Sequence, residues 1–314
     1  MFELIFLGTS ASAPSIRRGL PAQIIKRDEF RFLLDCGEGT QRQILQSGIG
    51  FKNLTNVLLT HGHLDHILGL GGLISTLVRW ETLPAIHIYG GENTLERVRE
   101  LLFGVVLKGG RPEMDIELRP IQEGIIFEGG DFTIRAFPVF HRGTDSFGYI
   151  FEEDERRPFL PELAAELNIP PGPWRRNLVE GKPAQLPDGR IIEPEMVLGP
   201  VKPGLRLVHV GDTGNTERLI PYVQNADLLV IEATYLQSET EMARKFSHIT
   251  AHEAAMLAKQ ANVKKLILTH ISRRYRDKDI LKEARAVFPE TTLAHDLDVV
   301  QVKRQEEEPK QEEA

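Results

Sequence analysis

Four apolar runs in this 314-residue chain end on a histidine or an aspartate. Val57-Leu58-Leu59-Thr60 runs into His61, and Ile134-Arg135-Ala136-Phe137-Pro138-Val139-Phe140 into His141. Leu205-Arg206-Leu207-Val208-His209-Val210-Gly211 runs into Asp212, and Lys265-Leu266-Ile267-Leu268-Thr269 into His270. Each run reads as a buried strand. A metal-ligand type directly after each of four strands restricts the fold, because loops at one edge of a sheet assembly can pool such side chains into a rigid site. Singly, each is equally readable as a cap or a satisfied surface residue. The repetition is what carries weight.

The densest point is His61-Gly62-His63-Leu64-Asp65-His66, with three imidazoles and a carboxylate in one short stretch. Ile67-Leu68-Gly69-Leu70-Gly71-Gly72-Leu73 follows, so the context predicts a strand, a tight loop and the opening of a helix. Neutral imidazole and carboxylate are zinc ligands. His61 and His63 alternate, so at a strand end both can point to one side. Asp65 and His66 follow where the chain has begun to turn. One ion can take the first pair and a second ion the other. A plain polar turn, with Asp65 as helix cap, would explain one of the four side chains and not the rest.

Composition is ordinary for a globular chain, 41% hydrophobic and 26% charged. No apolar segment has the length that spans a bilayer. The start, with Glu3 and no basic region, reads as a strand and not a secretory signal, so a cytoplasmic protein with no membrane partner is expected. Cys36 is the single cysteine, which excludes an internal disulfide and a thiolate-rich metal site. A net charge of −7 argues against a generic nucleic-acid coat while allowing local basic patches. Residues 303–314 are rich in glutamate (Glu306, Glu307, Glu308, Glu312 and Glu313) and predict a disordered, solvated tail.

Strands are predicted at Leu4–Leu7, Ala22–Lys26, Phe32–Asp35, Asn56–Thr60, Ile86–Tyr89, Ile116–Ile121, Ile125–Glu128, Phe132–Val139 and Gly148–Glu152. Helices are predicted at Thr40–Ser47, His66–Arg79 and Thr94–Phe103. Between Pro158 and Pro203 lie ten of the nineteen prolines, so this stretch cannot supply a core element. It is also too apolar for a plain linker, and reads as a protruding, partly structured arm. After it the pattern alternates: strand Leu205–Val210, helix Thr216–Gln224, strand Leu228–Glu232, helix His252–Ala261, strand Lys265–Thr269, helix Asp279–Val287 and strand Val299–Val302. Two halves, each giving a sheet with covering helices, predict an α/β fold of the four-layer αββα type.

The His61–His66 motif, His141, Gly211-Asp212-Thr213 and Thr269-His270 resemble the metallo-β-lactamase pattern. Further stretches narrow the likeness: Leu7-Gly8-Thr9, Asp35-Cys36-Gly37-Glu38-Gly39-Thr40-Gln41, Phe147-Gly148-Tyr149, Ile231-Glu232-Ala233-Thr234-Tyr235, Ser247-His248-Ile249-Thr250 and Thr269-His270-Ile271-Ser272-Arg273-Arg274-Tyr275. In this order, from about residue 2 to residue 302, the chain resembles the ribonuclease Z family of tRNA 3′-processing endonucleases. The resemblance implies one catalytic domain over residues 1–302, with an inserted exosite arm at about 155–203 that grips precursor tRNA. It implies two Zn2+ per chain, with Mn2+ or Fe2+ as other occupants of such ligands. His61, His63 and His141 would hold one ion, Asp65, His66 and His270 the other, and Asp212 both. It further implies a homodimer, which the sequence itself does not display.

The chemistry so implied is in-line attack by an activated water on the phosphorus 3′ of the discriminator nucleotide. It leaves a tRNA 3′-OH and a trailer 5′-phosphate. Asp65 could bind metal and also orient or deprotonate the water. His248, just before a helix, is the candidate for the leaving-group side, since an imidazole can donate a proton to the departing oxygen. Phosphate contacts are expected from Arg17 and Arg18 in the first loop, from Trp174, Arg175, Arg176 and Lys182 in the arm, and from Arg273 and Arg274 after His270. One stretch departs from the family: Pro14-Ser15-Ile16-Arg17-Arg18-Gly19 has Ile16 and Gly19 where many bacterial members carry Lys and Asn, which puts cleavage position and discrimination against CCA-bearing precursors in doubt. Alternatives are a phosphodiesterase of the same fold acting on small phosphodiesters, and a non-catalytic RNA-binding scaffold.

Overall fold

The computed structural model describes residues 1–81, 83–110, 112–143 and 145–303. The predicted acidic tail therefore lies outside the described residues, apart from Lys303. The strands, in chain order, are β1 (Phe2–Gly8), β2 (Ala22–Arg27), β3 (Phe30–Leu34), β4 (Asn56–Leu58), β5 (Ala85–Gly90), β6 (Asp115–Pro120), β7 (Gly124–Glu128), β8 (Phe132–Val139), β9 (Ser146–Glu153), β10 (Ala184–Gln185), β11 (Ile191–Ile192), β12 (Arg206–His209), β13 (Leu228–Glu232), β14 (Leu266–Thr269), β15 (Thr291–Leu293) and β16 (Val299–Val302). They form two seven-stranded sheets, ordered β16-β1-β2-β3-β4-β5-β6 and β15-β14-β13-β12-β9-β8-β7, and the small pair β10-β11.

Alternation along each strand sorts side chains into three cores, which define four layers. In β1, Phe2, Leu4 and Phe6 enter the core between the sheets, while Ile5 and Leu7 face the other way. In β13, Leu228 and Val230 enter the same central core, while Leu229 and Ile231 face outward. The outward faces are covered by Thr40–Gln46 and Leu70–Trp80 on the first sheet, and by Ala251–Gln260 and Asp277–Arg285 on the second. The αββα expectation holds. Aromatic rings fill the central layer: Phe32 sits edge-on to Phe127 and Phe151 with centroids 5.0 and 5.7 Å apart.

Several elements depart from expectation. The helix predicted over His66–Arg79 is two pieces, Leu64–Ile67 and Leu70–Trp80. Gly69 makes the break: its N–H donates to the Cys36 carbonyl at 2.8 Å, and a Cβ there would lie 1.9 Å from the Gly37 oxygen. The predicted Thr94–Phe103 helix is an α-helix at Glu92–Arg99 continued by a π-helical stretch, Glu100–Val106. The helix Thr240–Phe246 and strand β15 were not anticipated.

The chain divides into two compact units: Met1–Glu152 with the chain from Leu205 onward, and Glu153–Gly204. The second coincides with the proline-rich stretch. It holds short helices at Pro161–Glu166 and Trp174–Val179 and the β10-β11 hairpin. Contrary to the reading that prolines exclude a core, it has one, built from Ala164, Ile169, Leu178, Ala184, Leu186, Ile192 and Val197. The prolines fall between these residues or at helix starts, where a missing N–H costs nothing.

Candidate metal centre

The ligand-type residues arrive from both sheets at one edge. His61 and His63 follow β4, and Asp65 and His66 lie in the first short helix. His141 follows β8, Asp212 follows β12, and His270 directly follows β14. His270 has a left-handed backbone (φ 53°), as does Asp35 after β3 (φ 55°). Non-glycine residues held there carry strain that the surroundings must impose, and such residues cluster at functional sites.

Hydrogen bonds fix which nitrogen of each imidazole faces inward. His66 Nδ1 donates to Asp35 Oδ2 at 2.8 Å, and His141 Nδ1 donates to the Ser247 carbonyl at 2.8 Å. Thr60 Oγ1 gives its hydrogen to Asp35, so it accepts from His61 Nδ1 at 3.1 Å. Thr234 Oγ1 gives its hydrogen to Glu232, so it accepts from His270 Nδ1 at 2.8 Å. All four rings therefore present Nε2 to the interior. His63 differs: its Nδ1 is the inward atom, 2.9 Å from His61 Nε2 and 3.3 Å from His141 Nε2. Three nitrogens this close match the roughly 3.3 Å separation of ligands around one tetrahedral ion with 2.0–2.1 Å bonds.

A second set lies beside the first. Asp65 Oδ2 is 3.8 Å from His66 Nε2 and 3.7 Å from His270 Nε2. Between the sets stands Asp212, whose Oδ2 is 3.5 Å from His66 Nε2, 3.4 Å from His270 Nε2, and 3.9 Å from both His61 and His141 Nε2. The buried atoms His66 Nε2, His270 Nε2 and Asp212 Oδ1 have no hydrogen-bond partner among the described residues. Orphaned buried donors and acceptors of this kind are costly, and ligation by cations satisfies them. The donor set and these orphans fit divalent metal ions.

Protonation in the metal-free protein follows the same geometry. Burial, then the charges of neighbouring histidines, pushes His61 well below its ordinary value. Burial likewise lowers His63 to about 4 and lowers His141. Burial opposes a proton on His66, yet the carboxylates of Asp212 and Asp35 outweigh it and raise the group well above 6.5. Asp65 and Asp212 are lowered despite burial, Asp65 by the nearby His270 and His66 and Asp212 chiefly by the charge of His270. Metal binding at His66 would thus release a proton.

His248 joins the edge of the cluster. Its Nδ1 is 3.9 Å from Asp212 Oδ2 and 3.0 Å from both oxygens of Glu232. Burial would lower its pKa, but the charge and hydrogen bond of Glu232 overcome that and push it to about 9. Asp35, Glu232, Thr60 and Thr234 were not singled out as site residues from sequence. Asp35 and Glu232 could have been, since each is a carboxylate ending a strand-like run in the manner of Asp212.

The expected RNA-contacting residues fare differently. Arg17 and Arg273 are exposed and in no ion pair among the described residues. Arg274 is exposed and 3.5 Å from Glu239. In the Glu153–Gly204 unit, Arg176 and Lys182 are exposed and both pair with Glu180. Trp174 packs on that unit's core with its indole donating to the Pro170 carbonyl, and Arg175 lies over Phe159 and donates to the Ile169 carbonyl. Arg18 is a correction. Expected as an exposed phosphate contact, it is instead buried, with Nη1 donating to Thr9 Oγ1 and the Ala294 carbonyl at 2.6 Å each, so its guanidinium is engaged within the protein.

The likeness to known proteins now decides the family. Ribonuclease Z of Bradyrhizobium diazoefficiens is 49% identical over 302 residues, 96% of this chain and 100% of that protein. Ribonuclease Z of Archaeoglobus fulgidus is 40% identical over 95% of this chain and 96% of its own. The chain belongs to the ribonuclease Z family. The crystal structure of the short form of human tRNase Z agrees, with a TM-score of 0.67, 25% identity, and coverage of 96% of this chain and 100% of that one. The metallo-β-lactamase-fold protein YhfI from Bacillus subtilis has the same TM-score at 19% identity, covering 95% and 98%, and shows the shared fold. A family model described as anti-Pycsar protein Apyc1 matches residues 2–160, and one described as a beta-lactamase superfamily domain matches residues 189–271. These two matches cover the ligand-bearing loops of a ribonuclease Z chain in two halves. No helix among the described residues is long and apolar enough to cross a membrane.

Proposed function

We propose that this chain is a metal-dependent endoribonuclease that removes the 3′ trailer from precursor tRNA, leaving a tRNA 3′-OH and a 5′-phosphate on the trailer. The observation that carries the reading is the convergence of Asp212 Oδ2 on four histidine nitrogens at 3.4–3.9 Å, in a chain alike over its full length to ribonuclease Z proteins. His61, His63 and His141 would hold one Zn2+, and Asp65, His66 and His270 a second, with Asp212 shared. Such ions supply Lewis acidity to a phosphodiester and activate water at neutral pH.

The chain's own residues do the rest. Asp65 accepts from Ser12 N–H on Oδ2 at 3.1 Å, and its carboxylate orients the attacking water and takes its proton. His248, protonated through its contact with Glu232, donates to the departing 3′-oxygen. Arg17, Arg273 and Arg274 face the RNA backbone near the centre, and Arg176 and Lys182 serve the same end from the Glu153–Gly204 unit. The protein works in the cytoplasm as a homodimer, in keeping with its family.

The test is cleavage of a 3′-extended tRNA transcript by the purified chain, with metal content measured alongside. About two ions per chain and a trailer bearing a 5′-phosphate are expected. A protein that hydrolyses bis-p-nitrophenyl phosphate yet leaves the transcript intact would be a phosphodiesterase of another kind.

A further inference from the structure

The first loop, Thr9 to Leu20, approaches the centre at one point, where Ser12 N–H donates to Asp65 Oδ2 at 3.1 Å. Ser12 reaches it with a left-handed backbone (φ 58°), a conformation that must be held from outside. Two sets of contacts do so. On one side the loop is stitched to the residue after His270: Ala11 N–H donates to the Ile271 carbonyl at 3.0 Å, and Ile271 N–H to the Thr9 carbonyl at 2.9 Å.

On the other side stands a polar knot. Arg18 Nη1 binds Thr9 Oγ1 and the Ala294 carbonyl at 2.6 Å each, and Nη2 binds Asp277 Oδ1 at 3.1 Å. Asp296 accepts from Thr9 Oγ1 at 2.7 Å, from Gly19 N–H at 2.6 Å and from Gln43 Nε2 at 2.9 Å. Arg18 and Asp296 thus grip both ends of the loop, at Thr9 and at Gly19.

We propose that Arg18 and Asp296 are positioning residues for phosphodiester hydrolysis: they hold the first loop so that Ser12 N–H fixes the rotamer of Asp65. The physical reason is that one oxygen of Asp65 is tied to a main-chain donor, which defines where the other oxygen points. The buried Arg18 and the partly buried Asp296 bond to the two ends of this loop, so their effect on Asp65 runs through the loop they clamp. The inference rests on the role given to Asp65 above.

The experiment compares Arg18→Ala, Arg18→Lys and the isosteric Asp296→Asn with the unmodified chain on two substrates, 3′-extended tRNA and bis-p-nitrophenyl phosphate. Positioning predicts a fall in kcat of roughly 10- to 100-fold on both substrates, with KM for tRNA nearly unchanged. Arg18→Lys should recover part of the loss, because a single ammonium can replace some of the contacts to Thr9 and Ala294. An Arg18 that touched RNA would instead raise tRNA KM and leave the small substrate alone, and that result overturns the proposal. Asp296→Asn keeps shape and acceptor oxygen, so it separates a positioning loss from unfolding; full activity of this variant and of Arg18→Ala on both substrates also overturns it. Failure of the unmodified chain to cut tRNA, while the variants still lose bis-p-nitrophenyl phosphate hydrolysis, would count against the tRNA reading alone.

Discussion

His248 Nδ1 stands 3.0 Å from each oxygen of Glu232, a carboxylate that is itself buried and also accepts from Thr213 N–H at 2.7 Å. The pair makes His248 a cation held in place: a proton donor with a fixed partner behind it. Glu232→Gln removes the larger of the charges that oppose burial and leaves the more distant Asp212, so less of His248 is protonated at pH 8. Turnover there should fall by roughly 10²-fold or more, in line with loss of a general acid. Unchanged turnover at pH 8 would remove His248 from the leaving-group role.

The same pair sets a pH dependence. The pKa of His248 in the metal-free fold is raised to about 9 from an ordinary 6.5. A raised value means that the stabilisation is fully present below about 6.5 and is lost as pH rises through about 9. Nuclear magnetic resonance of the metal-free protein should therefore show the assigned His248 imidazole titrating near 9, apart from the also raised His66, and titrating lower in Glu232→Gln. Metal loading adds positive charge nearby and should move that titration downward. A metal-free protein with every histidine titrating at or below 6.5 contradicts the pairing.

Asp35 holds His66 through a 2.8 Å bond and accepts Thr60 N–H at 2.8 Å on its other oxygen. Asp35→Asn keeps the size but weakens the acceptor and frees the ring. Affinity for the ion at the Asp65–His66–His270 site should drop 10- to 100-fold, read by competition with a chromogenic chelator. Equal affinity would mean that the ring is oriented by packing alone.

The Glu153–Gly204 unit has a hydrophobic core of its own. Replacing residues 158–203 by a short Gly-Ser link should leave the larger unit folded and bis-p-nitrophenyl phosphate hydrolysis intact, while tRNA cleavage falls. Equal tRNA cleavage by both proteins would sink the idea of the arm as an RNA grip.

Phe32 is fully buried between the sheets among Phe127, Phe132 and Phe151. Phe32→Ala should cost about 3–5 kcal/mol of stability, measured by urea unfolding. A loss under 1 kcal/mol would mean that the central layer repacks freely.

What could be read in advance was local. Strand pattern and ligand chemistry coincide at His61, His141, Asp212 and His270, so each announced itself within a few residues. Asp35 and Glu232 stand in stretches that carry the family likeness, but their hold on His66 and His248 is made by packing and is not legible in the sequence. Arg18 was misread for the converse reason. A basic residue in a loop looks solvated until Asp277, Ala294 and Asp296 close over it from the other end of the chain. Strand β15 is three residues long and exists only because β14 lies alongside it.

Both sheets supply the centre, and this has a consequence for the order of assembly. His61 through His66 are made early, whereas among the described residues His270 is followed by one helix and two strands. During synthesis the early motif is a half-built claw of imidazole and carboxylate donors. The Asp65–His66–His270 set cannot close until His270 has emerged and folded beside the early motif. A chain ending before His270 would keep the His61–His63–His141 group and lack the second one, so completeness of the pair reports that both halves have met.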